Sequence, residues 1–185
     1  MASLSGKTTS FPNNTPVCFW KAGSPFSNFH RTQGFTFEYK LSKEGEEIRK
    51  TIFYSETVFM ILKTLEFDPK NETLIKKILV FDSEHKPNEV KKCGRQVKNF
   101  NEKHWDEIKV KRMEEALRLK FSQISSLKQK LLNTGDSPMY ECSPYDKIWG
   151  VGMTEDEFLS GAKPRGQNLL GLSLVKVRDE LRSQP

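Results

Sequence analysis

Glu56 and Lys63 are seven residues apart in a segment whose apolar residues recur at helical spacing. A helix turns by about 100° and rises about 1.5 Å per residue, so both side chains fall on one face about two turns apart. Phe59 and Met60 occupy the same face. This mixture of ionisable and apolar groups predicts a groove that holds a ligand. The alternative is an exposed glutamate and an exposed lysine on a solvated face.

The positions of these two groups suggest different chemistry. Glu56 falls in the first turn of the predicted helix, where the helix dipole favours an ionised carboxylate. Such a group can hydrogen-bond ribose hydroxyls or stabilise positive charge on a sugar carbon. Lys63 lies among aromatic and aliphatic side chains, where desolvation lowers the pKa of an amine. A neutral amine is a nucleophile that forms Schiff bases with sugar aldehydes.

A second candidate region runs from Tyr140 to Met153 and has neither helical nor strand periodicity. It contains Asp146, Trp149 and the run Gly150-Val151-Gly152. An aromatic face can hold a planar ring, a carboxylate can bind a hydroxyl, and glycine lets a ligand approach the backbone. The segment therefore predicts one wall of a binding site. A core tryptophan beneath a tight turn is the alternative.

Two basic segments that contain glycine, 94–98 and 163–168, are candidates for binding phosphate. The second leads into the predicted C-terminal helix, where backbone N–H groups can meet an anion. Arg165 can contact a phosphate through two hydrogen bonds. An ordinary exposed loop arginine is the alternative.

Composition limits the possible classes of protein. With 185 residues, 36% hydrophobic and 29% charged, the chain fits one globular domain, and no apolar run approaches the roughly 18 residues of a membrane span. An odd number of cysteines without C-x-x-C spacing predicts a reduced, intracellular setting, the cytoplasm or nucleus. Neither these cysteines nor the scattered histidines have metal-ligand spacing, so we expect no metal and no cofactor. The residues concerned are Cys18, Cys93, Cys142, His30, His85 and His104.

Net charge and the N-terminus add two expectations. The net charge is +6 and the sequence pI is about 9.2. This charge suits a phosphate-bearing ligand or a nucleic acid, although solvated lysines alone could produce it. Residues 1–14 are rich in Ser, Thr, Asn and Pro and are interpreted as a mobile leader, followed by a domain over 15–183.

The candidate residues are positioned by a predicted α+β fold, a mainly helical single domain around a small N-terminal antiparallel sheet. Alternating or short apolar runs predict the strands. Ser55 is the expected N-cap of the first helix, which ends before Asp68-Pro69. The predicted strands are 17–20, 35–39, 51–54 and 139–142, and the predicted helices are 55–67, 70–79, 89–98, 102–121, 127–132 and 168–182.

Five segments, in this order, resemble the NADAR (YbiA-like) family from about Phe19 to Arg182. The combination of S-P-Y-D-x-x-W-G-x-G with R-G-x-N-L-L-G is highly specific. The segments are GSPFSNFH, YSETVFMILKTLEF, CGRQVKNFNEKHWDEIKVKRMEEALRLKF, TGDSPMYECSPYDKIWGVGM and RGQNLLGLSLVKVRDELR.

The resemblance implies an α+β N-glycosidase that cleaves N-glycosidic bonds to phosphorylated ribose without a metal. One branch of the family acts on early riboflavin-pathway intermediates, and another removes ADP-ribose from guanine in DNA or nucleotides. Glu56 corresponds to the family's helix glutamate, and Lys63 to a lysine proposed to form a Schiff base with the anomeric carbon. Further positions fall on family motifs as candidates for binding and orientation: Asn28, Trp105, Asp146, Trp149, Arg165 and Asn168.

The resemblance favours removal of ADP-ribose from guanine, with Asp146 orienting the ribose or moving protons. Hydrolysis of a phosphoribosylated riboflavin-pathway intermediate and a non-catalytic module that binds ADP-ribose or nucleic acid are the alternatives. The chain departs from the family at Thr57, where histidine is frequent, and at Ile61-Leu62, where Ala-Gln is frequent. The Leu41–Lys50 connection also differs from shorter bacterial versions.

Overall fold

The computed structural model describes residues 15–42 and 44–183. The predicted leader, residues 1–14, lies outside this range. The strands are β1 (Val17–Phe19), β2 (Phe35–Tyr39), β3 (Ile48–Ile52) and β4 (Met139–Glu141). The helices are α1 (Ser55–Phe67), α2 (Glu72–Ser83), α3 (Pro87–Cys93), α4 (Glu102–Gln123), α5 (Ser125–Leu132), α6 (Glu155–Leu159) and α7 (Leu169–Ser183).

The predicted antiparallel sheet is the hairpin of β2 and β3, in which Phe35 pairs with Ile52 and Tyr39 with Ile48. Phe35, Phe37 and Tyr39 are buried, as strand alternation requires. The returning strand starts earlier than predicted, at Ile48. The α+β class, mainly helical around a small antiparallel sheet, is confirmed.

A second pair of strands joins distant parts of the chain. β1 runs parallel to β4, with Val17 opposite Met139 and Phe19 opposite Glu141. Both strands were predicted, but their pairing was not, because three residues carry too little pattern to specify a partner. The pairing places β4 and the loop after it beside the segment that follows β1.

Helix α1 is the centre of the core. Val58 and Ile61 are fully buried, and α2, α3 and α4 all pack against this helix. α7 covers α4 and β4 with a stripe that is buried as its spacing predicts: Leu170, Leu174, Val177 and Leu181. A helix covered by neighbours on several sides provides a rigid platform for the groups that it carries.

Several further element boundaries differ from the predictions, and the predicted helix 89–98 is found as the shorter α3, Pro87–Cys93. Ser55 is the first residue of α1 and not its N-cap, because Tyr54 occupies the cap position and Ser55 Oγ instead donates to Asn28 Oδ1. α2 continues to Ser83. The short helix α6 was missed, although Thr154 and Glu157 form a capping box at its start. Within the described ranges, no helix is long and apolar enough to cross a membrane.

Candidate active site

A cavity of about 370 Å³ opens where α1, α4, the turn after α3 and the loops after β1 and β4 meet. Six of the eight residues singled out in the sequence line it: Asn28, Glu56, Lys63, Trp105, Asp146 and Trp149. Phe59 and Met60 line it as well, so the mixed face of α1 is the floor of a cavity and not a solvated surface.

Lys63 is half-buried and held in place by its surroundings. Its Nζ donates a hydrogen bond to the Gly94 carbonyl over 2.9 Å and lies 4.2 Å from the ring centroid of Phe100 and 5.5 Å from that of Trp105. Burial lowers the pKa of Lys63, and the charge of Glu56 partly offsets this effect. The site therefore favours the neutral, nucleophilic amine to a greater extent than water does.

Glu56 is buried, with 5% of its surface exposed. Burial raises its pKa to about 7, Asp146 raises it further, and Lys91 is the largest opposing influence. The expectation of an ionised carboxylate from the helix dipole is therefore wrong at neutral pH, where protonated and ionised forms coexist. Desolvation of a fully enclosed carboxylate exceeds the effect of one helix terminus.

Asn28 is fixed beside the first turn of α1. Its Oδ1 accepts a hydrogen bond from Ser55 Oγ over 3.1 Å, and its carbonyl accepts one from the backbone N–H of Glu56. The loop that carries it is held by the buried Lys120, whose Nζ donates to the carbonyls of Pro25 and Ser27. The amide of Asn28 thus has a defined position in the wall of the cavity.

Asp146 and the tryptophans form the facing wall. Asp146 Oδ1 accepts the backbone N–H groups of Ile148 and Trp149, and its Oδ2 lies 3.8 Å from Lys91 Nζ. The rings of Trp149 and Trp105 both pack against Phe59, with centroids 5.3 and 5.2 Å away. A carboxylate held this rigidly can orient a sugar hydroxyl, and the partly buried Trp149 offers an aromatic surface to a ring.

Arg165 and Asn168 do not line the cavity, and their contact with substrate stays a prediction. The Arg165 guanidinium donates to the Gly152 carbonyl and pairs with Glu157 at 3.0 Å. Asn168 is buried and its amide bridges strand β4, donating to the Met139 carbonyl and accepting from the Glu141 N–H. Both side chains hold the loop and strand that carry the site, because local partners already satisfy their polar groups.

Glu141 and Lys91 are among the cavity-lining residues that had no predicted role. Burial raises the pKa of Glu141 to about 7, and its Oε2 is buried without a hydrogen-bond partner among the described residues. Glu141 lies within the last strand and looks like an outward-facing strand residue. Lys91 is one of several lysines in a polar segment. In the sequence, neither residue can be distinguished from an ordinary charged residue at the surface.

The mouth of the cavity is aromatic and basic. Trp20 and Tyr145 are 37% and 87% exposed, and their ring centroids lie 6.3 Å apart. Lys21 lies over the Trp20 ring at 4.8 Å, and Arg95 contributes a second cation to the lining. Exposed aromatics beside cations are suited to a planar base and to phosphate.

The two departures from the family pattern lie outside the cavity lining. Thr57 is fully buried and its Oγ1 donates to Asp82 Oδ1 over 2.6 Å, which ties α1 to α2. Leu62 belongs to the hydrophobic core. Neither substitution removes a group that faces the cavity.

Comparisons with known proteins find two relatives named N-glycosidases and one solved structure of similar fold. An N-glycosidase of Acanthamoeba polyphaga mimivirus is 37% identical over 80% of this chain and 85% of its own length. An N-glycosidase of Nostoc punctiforme is 30% identical over 90% of this chain and 93% of its own length. The NMR structure of the Escherichia coli protein YbiA matches with a TM-score of 0.65 at 26% identity, over 93% of this chain and 88% of that one.

A partial match links one segment to a different kind of protein. The riboflavin biosynthesis protein PYRR of Arabidopsis thaliana, a chloroplastic protein, is 36% identical over 41% of this chain but only 11% of its own length.

The family model described as NADAR domain matches residues 18–182, nearly the whole of the described fold. The chain belongs to the NADAR domain family.

Proposed function

We propose that the protein is an N-glycosidase that removes ADP-ribose from ADP-ribosylated guanine in DNA or nucleotides. The observation that carries the reaction type is the placement of Lys63, an amine of lowered pKa, in one cavity with Glu56 and Asp146. The N-glycosidase names of the two full-length relatives support the same reaction type. Such a substrate belongs to the nucleus or cytoplasm, and nucleic acid is the implied partner.

The residues divide the reaction between them. Neutral Lys63 attacks C1′ of the ribose as the bond to the base breaks, and the ring opens to a protonated imine that water hydrolyses. Glu56 in its ionised form holds ribose hydroxyls or stabilises the positive sugar carbon. Asp146 and Asn28 orient the ribose, while Trp149 and Trp105 enclose it. No cofactor takes part.

The mouth of the cavity supports a substrate with a diphosphate and a second base. A volume of about 370 Å³ is at the small end of ligand pockets, so an ADP-ribosyl group on guanine would extend beyond it. Lys21, Lys91 and Arg95 can bind phosphate there in place of Arg165. Trp20 and Tyr145 can stack a base, and base–aromatic stacking contributes about 1–3 kcal/mol per base.

The substrate is tested by incubating the protein with an ADP-ribosylated guanine oligonucleotide and with the corresponding modified nucleotide. We expect release of ADP-ribose and recovery of unmodified guanine. Borohydride should trap a covalent adduct in the wild type and none in Lys63→Ala. If the guanine stays ADP-ribosylated when the enzyme concentration equals that of the oligonucleotide, this substrate is ruled out.

A smaller substrate is the enzymatic alternative, and the partial match to PYRR favours it. Hydrolysis of a phosphoribosylated pyrimidine intermediate of riboflavin synthesis would use the same inner cavity without the aromatic mouth. The two substrates are offered in parallel to wild type and to the double variant Trp20→Ala, Tyr145→Ala. The ADP-ribosyl proposal expects a raised KM in the double variant, whereas the pyrimidine substrate predicts no change.

A module that binds ADP-ribose or nucleic acid without turnover is the non-enzymatic alternative. It predicts retention of the modified oligonucleotide by both wild type and Lys63→Ala, with neither a trapped adduct nor a released base.

A further inference from the structure

Glu141 is fixed in the cavity wall by its backbone. Its N–H donates to Asn168 Oδ1 over 3.0 Å, and its carbonyl accepts the N–H groups of Ser143 and Val151, each over 2.9 Å. Three hydrogen bonds on one residue at the end of β4 leave the main chain little freedom. The side chain therefore reaches the cavity from a rigid base.

The carboxyl of Glu141 is not used by the fold. Its Oε2 is buried, yet no described residue forms a hydrogen bond with it. A buried carboxylate without a partner is costly, and the usual response is protonation. An unpaired buried oxygen in the wall of a cavity is thus a group that a bound ligand can satisfy.

Burial and two neighbouring carboxylates make Glu141 easier to protonate than a glutamate in water. Burial is the largest influence on the pKa of Glu141, Asp146 and Glu56 raise it further, Lys91 lowers it, and the result is about 7. Near neutrality a substantial share of the molecules therefore carries an O–H donor on Glu141. The ionisable groups that line the cavity with Glu141 are Lys21, Glu56, Lys63, Lys91, Arg95, Tyr145 and Asp146.

The nucleophile and Glu141 come from different walls. Lys63 and Glu56 share helix α1, and the charge of Glu56 acts on the pKa of Lys63. The charges that act on Glu141 are those of Asp146, Lys91 and Glu56. When a nucleophile displaces a base at C1′, the base leaves from the face opposite the attack. An acid on β4 reaches the cavity from a different element than the nucleophile does, whereas Glu56 lies on the helix of Lys63, about two turns away.

We infer that Glu141 is a catalytic general acid that protonates the leaving base; this role rests on the proposed N-glycosidase activity. The Lys63 lone pair forms the bond to C1′ as the C1′–N bond breaks, its electron pair goes to the base, and the Glu141 proton moves to that nitrogen. One proton of the resulting secondary ammonium then moves to the ring oxygen, which opens the ring to an iminium ion. Water hydrolyses the iminium to the aldehyde and free Lys63, and its spare proton returns to the Glu141 carboxylate.

The test compares wild type with Glu141→Gln, which keeps size and polarity but cannot release a proton. Both are assayed from pH 5.5 to 9 on the ADP-ribosylated guanine oligonucleotide and on the phosphoribosylated pyrimidine. At pH 7 we expect kcat of the variant to fall about 10²–10⁴-fold, the usual contribution of general acid catalysis. We also expect the wild-type rate to decline as pH rises above about 7, because Glu141 then loses its proton, and Glu141→Gln to lack that decline.

Glu155→Gln, a change at an exposed glutamate in α6, is the matched control and should keep the wild-type rate. Thermal unfolding of each variant separates loss of chemistry from loss of fold. Equal kcat and an equal decline at high pH in wild type and Glu141→Gln would overturn the role of Glu141 and leave the proposed function intact. A wild type inactive on both substrates would instead remove the proposed function.

A titration tests Glu141 independently of turnover. In ¹³C-glutamate-labelled protein we expect a carboxyl resonance that titrates near pH 7 in the wild type and is absent from Glu141→Gln. Glu56 provides a second such resonance, which should remain in the variant. A Glu141 resonance that titrates in the normal range of glutamate would contradict the inference.

Discussion

Desolvation shifts the pKa values of three side chains that face the cavity, Glu56, Lys63 and Glu141. It raises the pKa values of Glu56 and Glu141 to about 7 and lowers that of Lys63. The carboxyl groups are therefore shifted toward proton donors, and the amine toward a nucleophile. A single enclosed site thus gives opposite roles to acids and amines near neutral pH.

This arrangement has a cost in stability that Glu56→Gln should reveal. The folded-state pKa of Glu56, about 7, exceeds the reference value of 4.5, so the native state favours the protonated form. Its destabilising effect is absent below pH 4.5, grows as pH rises, and is complete above pH 7, when it reaches at most about 3 kcal/mol. We expect Glu56→Gln to stabilise the protein by about 1–3 kcal/mol at pH 8 and negligibly at pH 4.5, with loss of activity.

Urea unfolding at the two pH values measures this difference. The exposed Glu46→Gln is the control and should have the same small effect at both. If Glu56→Gln raises the free energy of unfolding equally at both pH values, the Glu56 carboxyl of the wild type titrates normally in the folded protein.

At the same scale, spacing and resemblance predicted six of the residues that line the cavity. The helical period placed Glu56 and Lys63 together, whereas Asn28, Trp105, Asp146 and Trp149 were selected through family motifs or loop composition. Their catalytic and binding roles stay predictions. Arg165 and Asn168 were chosen for their polar groups, but a sequence does not show that Glu157 and strand β4 already occupy them. The burial of Glu141 depends on tertiary packing, which a single glutamate in a strand does not reveal.

At the scale of elements, two buried hydrogen-bond systems position the site. Thr57 Oγ1 ties the start of α1 to Asp82, which also accepts the Phe53 N–H, and Lys120 ties the loop before Asn28 to α4. These elements were predicted from periodicity and turn residues, whereas the links between them join residues far apart in sequence. The helices and the hairpin were therefore predictable, but the contacts that orient them were not.

Thr57→Val should destabilise the protein by about 1–3 kcal/mol, because it removes the shorter of the two hydrogen bonds that the buried Asp82 Oδ1 accepts. Thr64→Val is the matched control on the same helix, since the Thr64 hydroxyl is equally buried but bonds only to the Met60 carbonyl of α1 itself. We expect Thr64→Val to lower the free energy of unfolding by less than about 1 kcal/mol. Chemical unfolding measures both, and equal costs would mean that the link to Asp82 does not anchor α1.

Gly94 connects the turn after α3 to Lys63, the proposed nucleophile. Its carbonyl accepts the Lys63 hydrogen bond, and a Cβ at this position would collide with Met60 Sδ. We expect Gly94→Ala to displace Met60 or the turn and to lower kcat about tenfold or more, since small misplacements in an active site are costly.

The comparison for this change is Gly23→Ala, where a Cβ would meet no atom within 4 Å. It should keep wild-type kinetics on the same oligonucleotide substrate. Identical kcat for Gly94→Ala and wild type would show that the turn tolerates the methyl group without moving Lys63.

At the scale of the whole molecule, the positive charge favours a polyanionic substrate. The net charge is +6, and Lys21, Lys91 and Arg95 lie at the cavity. Counterions released from an oligonucleotide make binding depend strongly on salt, whereas a modified nucleotide offers few phosphates.

We therefore expect kcat/KM for the ADP-ribosylated oligonucleotide to fall steeply between about 50 and 200 mM salt, and that for the modified nucleotide to fall much less. Initial rates across this range provide the measurement. Parallel salt dependence of the two substrates would mean that the protein binds only the modified nucleotide and not its neighbours.

The parallel pairing of β1 with β4 also affects how the protein is made. Val17 can pair only after Met139 has been synthesised, and the cavity lining extends from Trp20 to Leu170. The chain must therefore close a very long loop before the cavity forms. Contacts so distant in sequence slow folding, and a ribosome delivers β4 well after β1. A nascent chain that has already formed the hairpin and α1 thus carries Lys63, the proposed nucleophile, without the wall formed by β4 and the loop after it. Activity should emerge only after β4, that loop and Leu170 have been synthesised.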